Sequence, residues 1–354
     1  MLVNPEMPSL EYQQVTMEDV ARACGVTKKT VSRVFAGSPL VKASTREKIL
    51  EAAKSLNYEF NTLAQNFNAK RSRFVGVATS FVQLLGSSYF GELFKGFAKE
   101  LNDSEWDFAL FDTDTESFNN GEKLAKLYRQ RRVDGLLVVA PHTYDRFLET
   151  LEQRHVPMIV VGVRPTGQGI CSVSCDDARG ITLLCEHLYG LGHRRIGFVS
   201  GPQYVTTSEL RTQAFLEFCR ARKLKCPPEY IQPGFYAIRT GKEAAAKIMS
   251  SNPRPTAIIA ANDLMAFGVI ECARELGLRV PEDLSVAGFD DLPTGAERSP
   301  TLTTIHQPVN EMGQKSASLL LDSIQNQHLP SGGTILEVVL QVRESTARVS
   351  RSRN

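Results

Sequence analysis

The residues with the clearest chemical potential lie in the run TKKTVSR, Thr27 to Arg33. At helical spacing Val31, Val34 and Phe35 share one side, while Lys28, Lys29, Ser32 and Arg33 fall on the other. Ammonium and guanidinium groups on such a face can donate to the acceptor edge of guanine, and an Arg does so in bidentate fashion for roughly 1–3 kcal/mol per base. Hydroxyls and free amides at a helix start suit phosphate oxygens. A small helical bundle with a merely solvated basic face would show the same cations, so the elements that position this helix must decide.

Those elements span Thr16 to Leu56. Thr16 is a cap for a first helix, with Glu18 and Asp19 in the opening turn where the helix dipole favours acids. Val20, Ala21 and Cys24 repeat at helical spacing, and Gly25 can end the helix in the left-handed conformation. Thr27 then caps the second helix after a tight turn. Ser44, Thr45, Arg46 and Glu47 read as the capping box of a third, whose buried stripe is Ile49, Leu50, Ala53 and Leu56. Three such helices make the minimal core of a helix-turn-helix DNA reader.

The stretch from Thr16 to Phe67 resembles the amino-terminal domain of the lactose-repressor (LacI-type) family. The family pattern is Asp-Val-Ala, a Gly, then Val-Ser-x-x-Thr-Val-Ser-Arg; this chain supplies Asp19-Val20-Ala21, Gly25 and Val26-Thr27-Lys28-Lys29-Thr30-Val31-Ser32-Arg33. The similarity continues to about Ala347. It implies a sequence-specific DNA-binding transcriptional regulator, more often a repressor, whose operator affinity is controlled by a small sugar-like effector. Carried over by position, Lys28, Lys29 and Arg33 face base edges while Thr27, Thr30 and Ser32 hold phosphates. Asn61 to Phe67 falls where the family has a hinge helix that forms on the operator and wedges an apolar side chain into the minor groove. That wedge is usually Leu and here aligns with Phe67, itself a known intercalating type; a linker with a lone Phe is the alternative.

Charge agrees with a two-part molecule. Residues 1–73 hold 11 Lys plus Arg against 7 Asp plus Glu, whereas the whole chain of 354 residues carries only +2. The motif, not the net charge, therefore carries the nucleic-acid reading. The amino terminus MLVNPEMPSLEYQQ lacks a basic start and an apolar run, so a cytoplasmic protein is expected. Seven cysteines, at 24, 171, 175, 185, 219, 226 and 272, sit mostly in apolar runs and read as reduced small hydrophobes. Cys185 and His187 share a helix, but a metal site needs a tighter cluster with a second pair. No metal and no cofactor are expected.

From Phe74 onward short apolar runs alternate with amphipathic ones. Phe74–Ala78, Phe108–Phe111, Gly135–Val139 and Met158–Val161 read as strands, followed by a second set at Cys171–Ser174, Ile196–Val199, Ala257–Ala260 and Leu284–Ala287. Strand-helix repetition means parallel sheets, and two sets mean two lobes with a cleft for one small polar molecule beyond the strand ends. The expected fold is thus an all-α helix-turn-helix head joined to an α/β two-lobed, periplasmic-binding-protein-like core with doubly wound parallel sheets. The expected boundaries are an extension at 1–15, the head at 16–60, hinge helix and linker at 61–73, an effector-binding and dimerisation domain at 74–347, and a tail at 348–354. Lobe one takes about 74–170 and 304–330; lobe two takes about 171–303 and 331–347, with Ile335 to Val342 as one strand.

Polar residues just past the strands are the effector candidates. Arg211 opens Arg-Thr-Gln-Ala-Phe, which matches the family's Arg-x-x-Gly-Phe, where the Arg contacts the effector. Asn262-Asp263-Leu264-Met265-Ala266 and Gly288-Phe289-Asp290-Asp291 match two further effector motifs; the resemblance turns Asn262 and Asp290 toward the ligand and makes Asp263 a loop holder. Each can equally be a local cap: Asn262 at a helix start, Asp290 in a turn before Pro293, and Asp176 at the start of the helix after Val173. Two departures from the family stand out. Ser87-Ser88 replace its Asn-Pro ahead of Tyr89, and Gly162-Val163-Arg164 replaces a frequent acid, so that Arg164 either meets an acidic sugar or a phosphate or lies on the surface.

Past Ala347 no leucine heptad occurs, so the implied assembly is a homodimer on a palindromic operator. A periplasmic-type sugar-binding protein would share the two lobes, but it would start with a signal sequence and lack Thr16 to Phe67. An enzyme has little support: Gly190-x-Gly192 and Gly197 form no GxGxxG, there is no P-loop, and the six histidines are unclustered.

Overall fold

Gly25 explains how the first two helices are set against each other. It closes α1 (Met17–Cys24) at φ +67°, and Val26 leads at once to Thr27, the cap of α2 (Lys28–Phe35). The computed structural model describes residues 15–59, 71–80, 88–113, 121–139, 147–162, 170–293, 298–329 and 331–349. The chain divides into two units between Ser72 and Arg73.

In the first unit Thr16 and Asp19 form a reciprocal capping box at the start of α1. The third helix, α3 (Ala43–Ser55), departs from the sequence reading: it begins two residues earlier, behind Lys42, with no side-chain cap. Ser44 to Glu47 therefore lie within its first turn, and Arg46 instead donates to the carbonyls of Val34 at 3.2 Å and Ser38 at 2.6 Å, fastening the end of α2. Leu50 is also corrected. Ile49 and Ala53 are buried and Leu56 packs beside them, but Leu50 lies one residue off that stripe and is 47% exposed. The core joins Val20, Ala21 and Cys24 to Val31, Val34, Ile49 and Ala53.

The second unit contains two parallel sheets. The first has β1 (Phe74–Thr79), β2 (Asp107–Asp112), β3 (Gly135–Val139), β4 (Met158–Val161), β5 (Cys171–Cys175) and β11 (Gly333–Leu336), in the order β11-β5-β4-β3-β1-β2. Alternation divides its faces: Leu137 and Val139 of β3 join the core that holds α4 (Ser88–Asp103) and α11 (Val309–Asn326). Leu136 and Val138 face α5 (Glu122–Arg129) and α6 (Phe147–Gln153). Gly96 and Gly313 let α4 and α11 touch backbone to backbone, since a Cβ at either would stand about 2 Å from a carbonyl oxygen of the other helix.

The second sheet runs β7-β6-β8-β9, from β6 (Ile196–Ser200), β7 (Ile231–Pro233), β8 (Ala257–Ala260) and β9 (Ser285–Ala287). Phe198 stacks on Phe215 of α8 (Thr206–Ala221) at 4.8 Å, beside α7 (Asp177–Gly190). A Cβ at Gly197 would meet Ile248 of α9 (Ile238–Met249), which packs on α10 (Asp263–Glu275). β10 (Thr304–His306) and β12 (Val339–Gln341) form an antiparallel ribbon tied to this lobe by the bridges Ala287↔Thr303 and Asp290↔His306.

The lobe boundaries differ from those read along the chain. β5 belongs to the first sheet, and so does β11; β10 sides with the second lobe. The strand expected over 335–342 is two strands, one in each lobe. Apolar alternation marks a strand but not its neighbours, which hydrogen bonding assigns. The chain passes between lobes at β5 to α7, β10 to α11 and β11 to β12. Among the described residues no helix is long and apolar enough to cross a membrane.

Candidate functional site

In the first unit, α2 presents its polar face to solvent because Val31 and Val34 commit the opposite face to the core. Thr27, Lys28, Lys29 and Arg33 are exposed and Thr30 and Ser32 half-buried. Thr27 Oγ1 accepts from the Thr30 amide at 3.3 Å and lies 3.0 Å from Thr30 Oγ1, so the two hydroxyls form one polar corner at the helix start. Lys28 lies 3.9 Å from Glu18, a loose and exposed pair of little energetic weight. Lys29 and Arg33 have no ion-pair partner among the described residues. The result is a row of donors on a rigid helix, the geometry that groove reading needs. Asn61 and Phe67 lie outside the described residues.

In the second unit the strand ends converge on Arg211. α8 carries it into a buried position, 5% exposed. Its Nε donates to Asp177 Oδ1 at 2.7 Å and its Nη1 to the Ala261 carbonyl at 2.5 Å; Asp290 Oδ1 is 3.9 Å from Nη1, and the guanidinium stacks 3.7 Å over the Phe289 ring. Gln307 Nε2 donates to Asp290 Oδ1 at 2.6 Å, and Cys175 Sγ donates to Gln307 Oε1 at 3.0 Å. Residues from β5, α7, α8, the β9 end and the β10–α11 crossover thus meet around one cation. Tyr89 and Tyr236 lie within electrostatic range of the same groups.

Burial sets the electrostatics. It works against the Arg211 charge, but Asp177 and Asp290 outweigh it and raise its pKa. Burial pushes Asp290 up to about 7, opposed by Arg211 and the Gln307 hydrogen bond and aided by Asp177. Asp263 is also raised well above its ordinary value by burial and by Asp290. Asp290 and Asp291 adopt φ of +124° and +58°, so the loop that aims the Asp290 carboxylate is strained.

Arg211 and Asp290 are therefore brought together as the sequence motifs suggested. Asn262 stands next to Ala261, whose carbonyl receives Arg211, but its Oδ1 accepts from Met265 N at 2.9 Å and caps α10. Asp263 holds the loop, accepting from Leu292 N and Thr304 Oγ1. Asp176 caps α7. Arg164 lies outside the described residues. Asp177, Gln307 and Cys175 were missed: an acid in a first helical turn, a Gln in a crossover and a Cys in an apolar strand carry no local signal. Among the described residues no cluster could hold a metal ion.

Arg211 Nη2 and Asp290 Oδ2 have no partner among the described residues, so one offers N–H and the other accepts. A hydroxyl group, donor and acceptor at once, satisfies both.

Two family models match the chain: bacterial regulatory proteins, lacI family, over residues 16–61, and periplasmic binding protein-like domain over residues 185–346. Among curated proteins, the HTH-type transcriptional repressor PurR of Klebsiella pneumoniae (strain 342) is 31% identical over 337 residues, covering 94% of this chain and 97% of that one. PurR of Proteus mirabilis (strain HI4320) is 33% identical, with 88% and 91% covered. Among solved structures, the Lac repressor dimer bound to operator and the anti-inducer ONPF has a TM-score of 0.85 at 29% identity, covering 95% of this chain and 100% of that one. A CelR-cellobiose complex has a TM-score of 0.71 at 30% identity, with 94% and 99% covered. Coverage reaches from the helix-turn-helix through both lobes, and the chain belongs to the lacI family of bacterial regulatory proteins.

Proposed function

We propose that this chain represses transcription by binding a palindromic operator as a homodimer, and that a neutral, hydroxyl-rich effector in the interlobe cluster sets its affinity. Residues 16–60 act as the DNA-binding head and 61–73 as hinge helix and linker, with the remainder to 347 as the effector domain. Lys28, Lys29 and Arg33 read base edges, with Thr27, Thr30 and Ser32 on phosphates; Asn61 and Phe67 serve the hinge. The observation that carries the effector reading is the buried guanidinium between two carboxylates. An anionic sugar acid or phosphate would have to sit beside Asp177 and Asp290, whereas a sugar hydroxyl pairs with Arg211 and Asp290 without adding charge. Cellobiose, the sugar named with the similar CelR, is of this neutral kind.

An effector that changes the angle between the lobes changes how easily two hinges dock together, and the coupling is reciprocal: the operator shifts effector affinity by the same factor. The test has two arms. Selection from random duplexes should yield a two-fold symmetric site, and Lys29→Ala should relax preference at one base position; equal loss on every sequence would make Lys29 a phosphate contact. A thermal-shift screen should find a stabilising ligand among neutral sugars and polyols. Stabilisation by sugar phosphates alone would overturn the neutral assignment.

A further inference from the structure

Asp290 and Asp291 are consecutive residues at positive φ, a conformation that persists only where the surroundings hold it. On one side Asp263 of α10 accepts from Leu292 N at 2.9 Å and from Thr304 Oγ1 at 2.6 Å. On the other, both carboxylate oxygens of Asp291 are engaged. Arg343 Nη2 donates to Oδ1 at 2.6 Å and His306 Nδ1 to Oδ2 at 3.0 Å; a carboxylate only accepts, so the hydrogen sits on Nδ1. The Asp291 side chain is 15% exposed, against 46% for His306. Arg343 is itself fastened, its Nη1 donating to the Leu302 carbonyl at 2.8 Å and its amide to Thr303 Oγ1 at 2.9 Å. His306 pairs with Val339 across the β10–β12 ribbon, and its backbone bridges Asp290.

Chain order gives this clasp its leverage. β10 leads through Gln307 into α11 of lobe one, and Arg343 follows β12, which receives the chain back from β11. Asp291 thus ties two of the lobe crossings to the loop that carries Asp290, and Gln307, next after His306, donates to Asp290 Oδ1. On the reading of Asp290 as an effector contact, we propose that Asp291 is its positioning residue: clasped by Arg343 and His306, it fixes where the Asp290 carboxylate points and couples that aim to the β10 and β12 crossings. A shift of either crossing pulls on His306 or Arg343 and re-aims Asp290. By reciprocity, an effector that moves Asp290 draws on the crossings. Opening the clasp frees the strained pair, and water then reaches a carboxylate that the fold keeps dry.

The test is the titration of Asp290 in the full chain, followed by carboxyl carbon NMR with labelled aspartate and assigned by the signal lost in Asp290→Asn. It uses neither operator nor sugar, so a failed effector screen and a failed clasp are told apart. In wild type the midpoint should lie at about 7, where burial puts it. In His306→Ala and Arg343→Gln it should fall toward the ordinary aspartate value of about 4 as water enters. By charge alone the loss of Arg343 would move it the other way, so the direction separates a slackened loop from a missing cation. His306→Asn, whose side-chain amide can replace the Nδ1–H, should restore the wild-type midpoint. With its side chain nearly half exposed, His306 can be replaced without unfolding the lobe, and its variants decide the matter even where Arg343→Gln fails to fold. An unchanged midpoint in His306→Ala, a rise in Arg343→Gln, or a wild-type midpoint already at about 4 would overturn the proposal.

Discussion

Replacing Arg211 by Ala should cost far more stability than a surface charge would. The wild-type guanidinium answers Asp177 at 2.7 Å, the Ala261 carbonyl and the nearby Asp290, all essentially out of solvent. Removing one member of a buried ion pair leaves uncompensated charge and typically costs about 3–5 kcal/mol. For a core of this size each kcal/mol corresponds to roughly 2–4 °C, so the melting temperature should fall by roughly 6–20 °C. The pH profile separates this cause from simple cavity formation. Without Arg211 the folded-state pKa of Asp290, already raised by burial, rises further above its unfolded value. An acid so shifted supports the fold when protonated, and that support is lost as pH rises through the folded value. The deficit relative to wild type should therefore be larger at about pH 8 than at about pH 5. Arg211→Lys, which keeps the charge but not the fork, should fall between. Differential scanning calorimetry across that range checks both points. A deficit below roughly 2 °C, or one independent of pH, would refute the idea that Arg211 neutralises buried carboxylates.

In the wild-type protein Asp290, pushed up to about 7 by burial, should lower stability as pH climbs from about 4 to about 7, because the unfolded chain releases that proton first. His187 and His193, whose pKa values burial lowers, act in the opposite sense, so the comparison is urea midpoints of wild type and Asp290→Asn; equal slopes would remove Asp290 from the pH response. Gly25→Ala should weaken the first unit by about 1 kcal/mol through the left-handed φ alone, since nothing lies within 4 Å of the added Cβ. Thr16→Ala should cost about 0.5–2 kcal/mol there; hydrogen exchange of α1 amides reads both, and unchanged protection would exclude these caps as determinants. Gly313→Ala would put a Cβ 2.1 Å from the Leu93 carbonyl, and the separation of α4 and α11 should lower stability by about 1–3 kcal/mol. An unaltered melting temperature would show that this crossing yields without cost.

The first unit was legible almost residue by residue, because its determinants are local. Thr16, Gly25 and Thr27 act on amides one to four positions away, and the 3.6-residue period then assigns Val31 and Val34 inward and the lysines outward. Two details in it differ from the sequence reading, both local: the start of α3 moved by two positions, and Leu50 fell off the buried stripe. In the second unit strand and helix order could be read from periodicity, yet the membership of β5, β10 and β11 could not, since a strand's neighbours depend on hydrogen bonds with segments far away in the chain.

The cluster around Arg211 shows the same division more sharply. Arg211 and Asp290 stand in recognisable motifs, and residue types alone indicated polar recognition beyond the strand ends. Asp177, Gln307 and Cys175 entered only when crossovers brought β5, α7 and the segment before α11 to one point; their roles come from bonds spanning 17 to 132 positions. Chain order thus settles which groups are present and how each helix is capped. Folding settles which of them share a dry, low-dielectric space, and there proximity decides that an Arg is neutralised by two acids and that one of those acids titrates near neutrality.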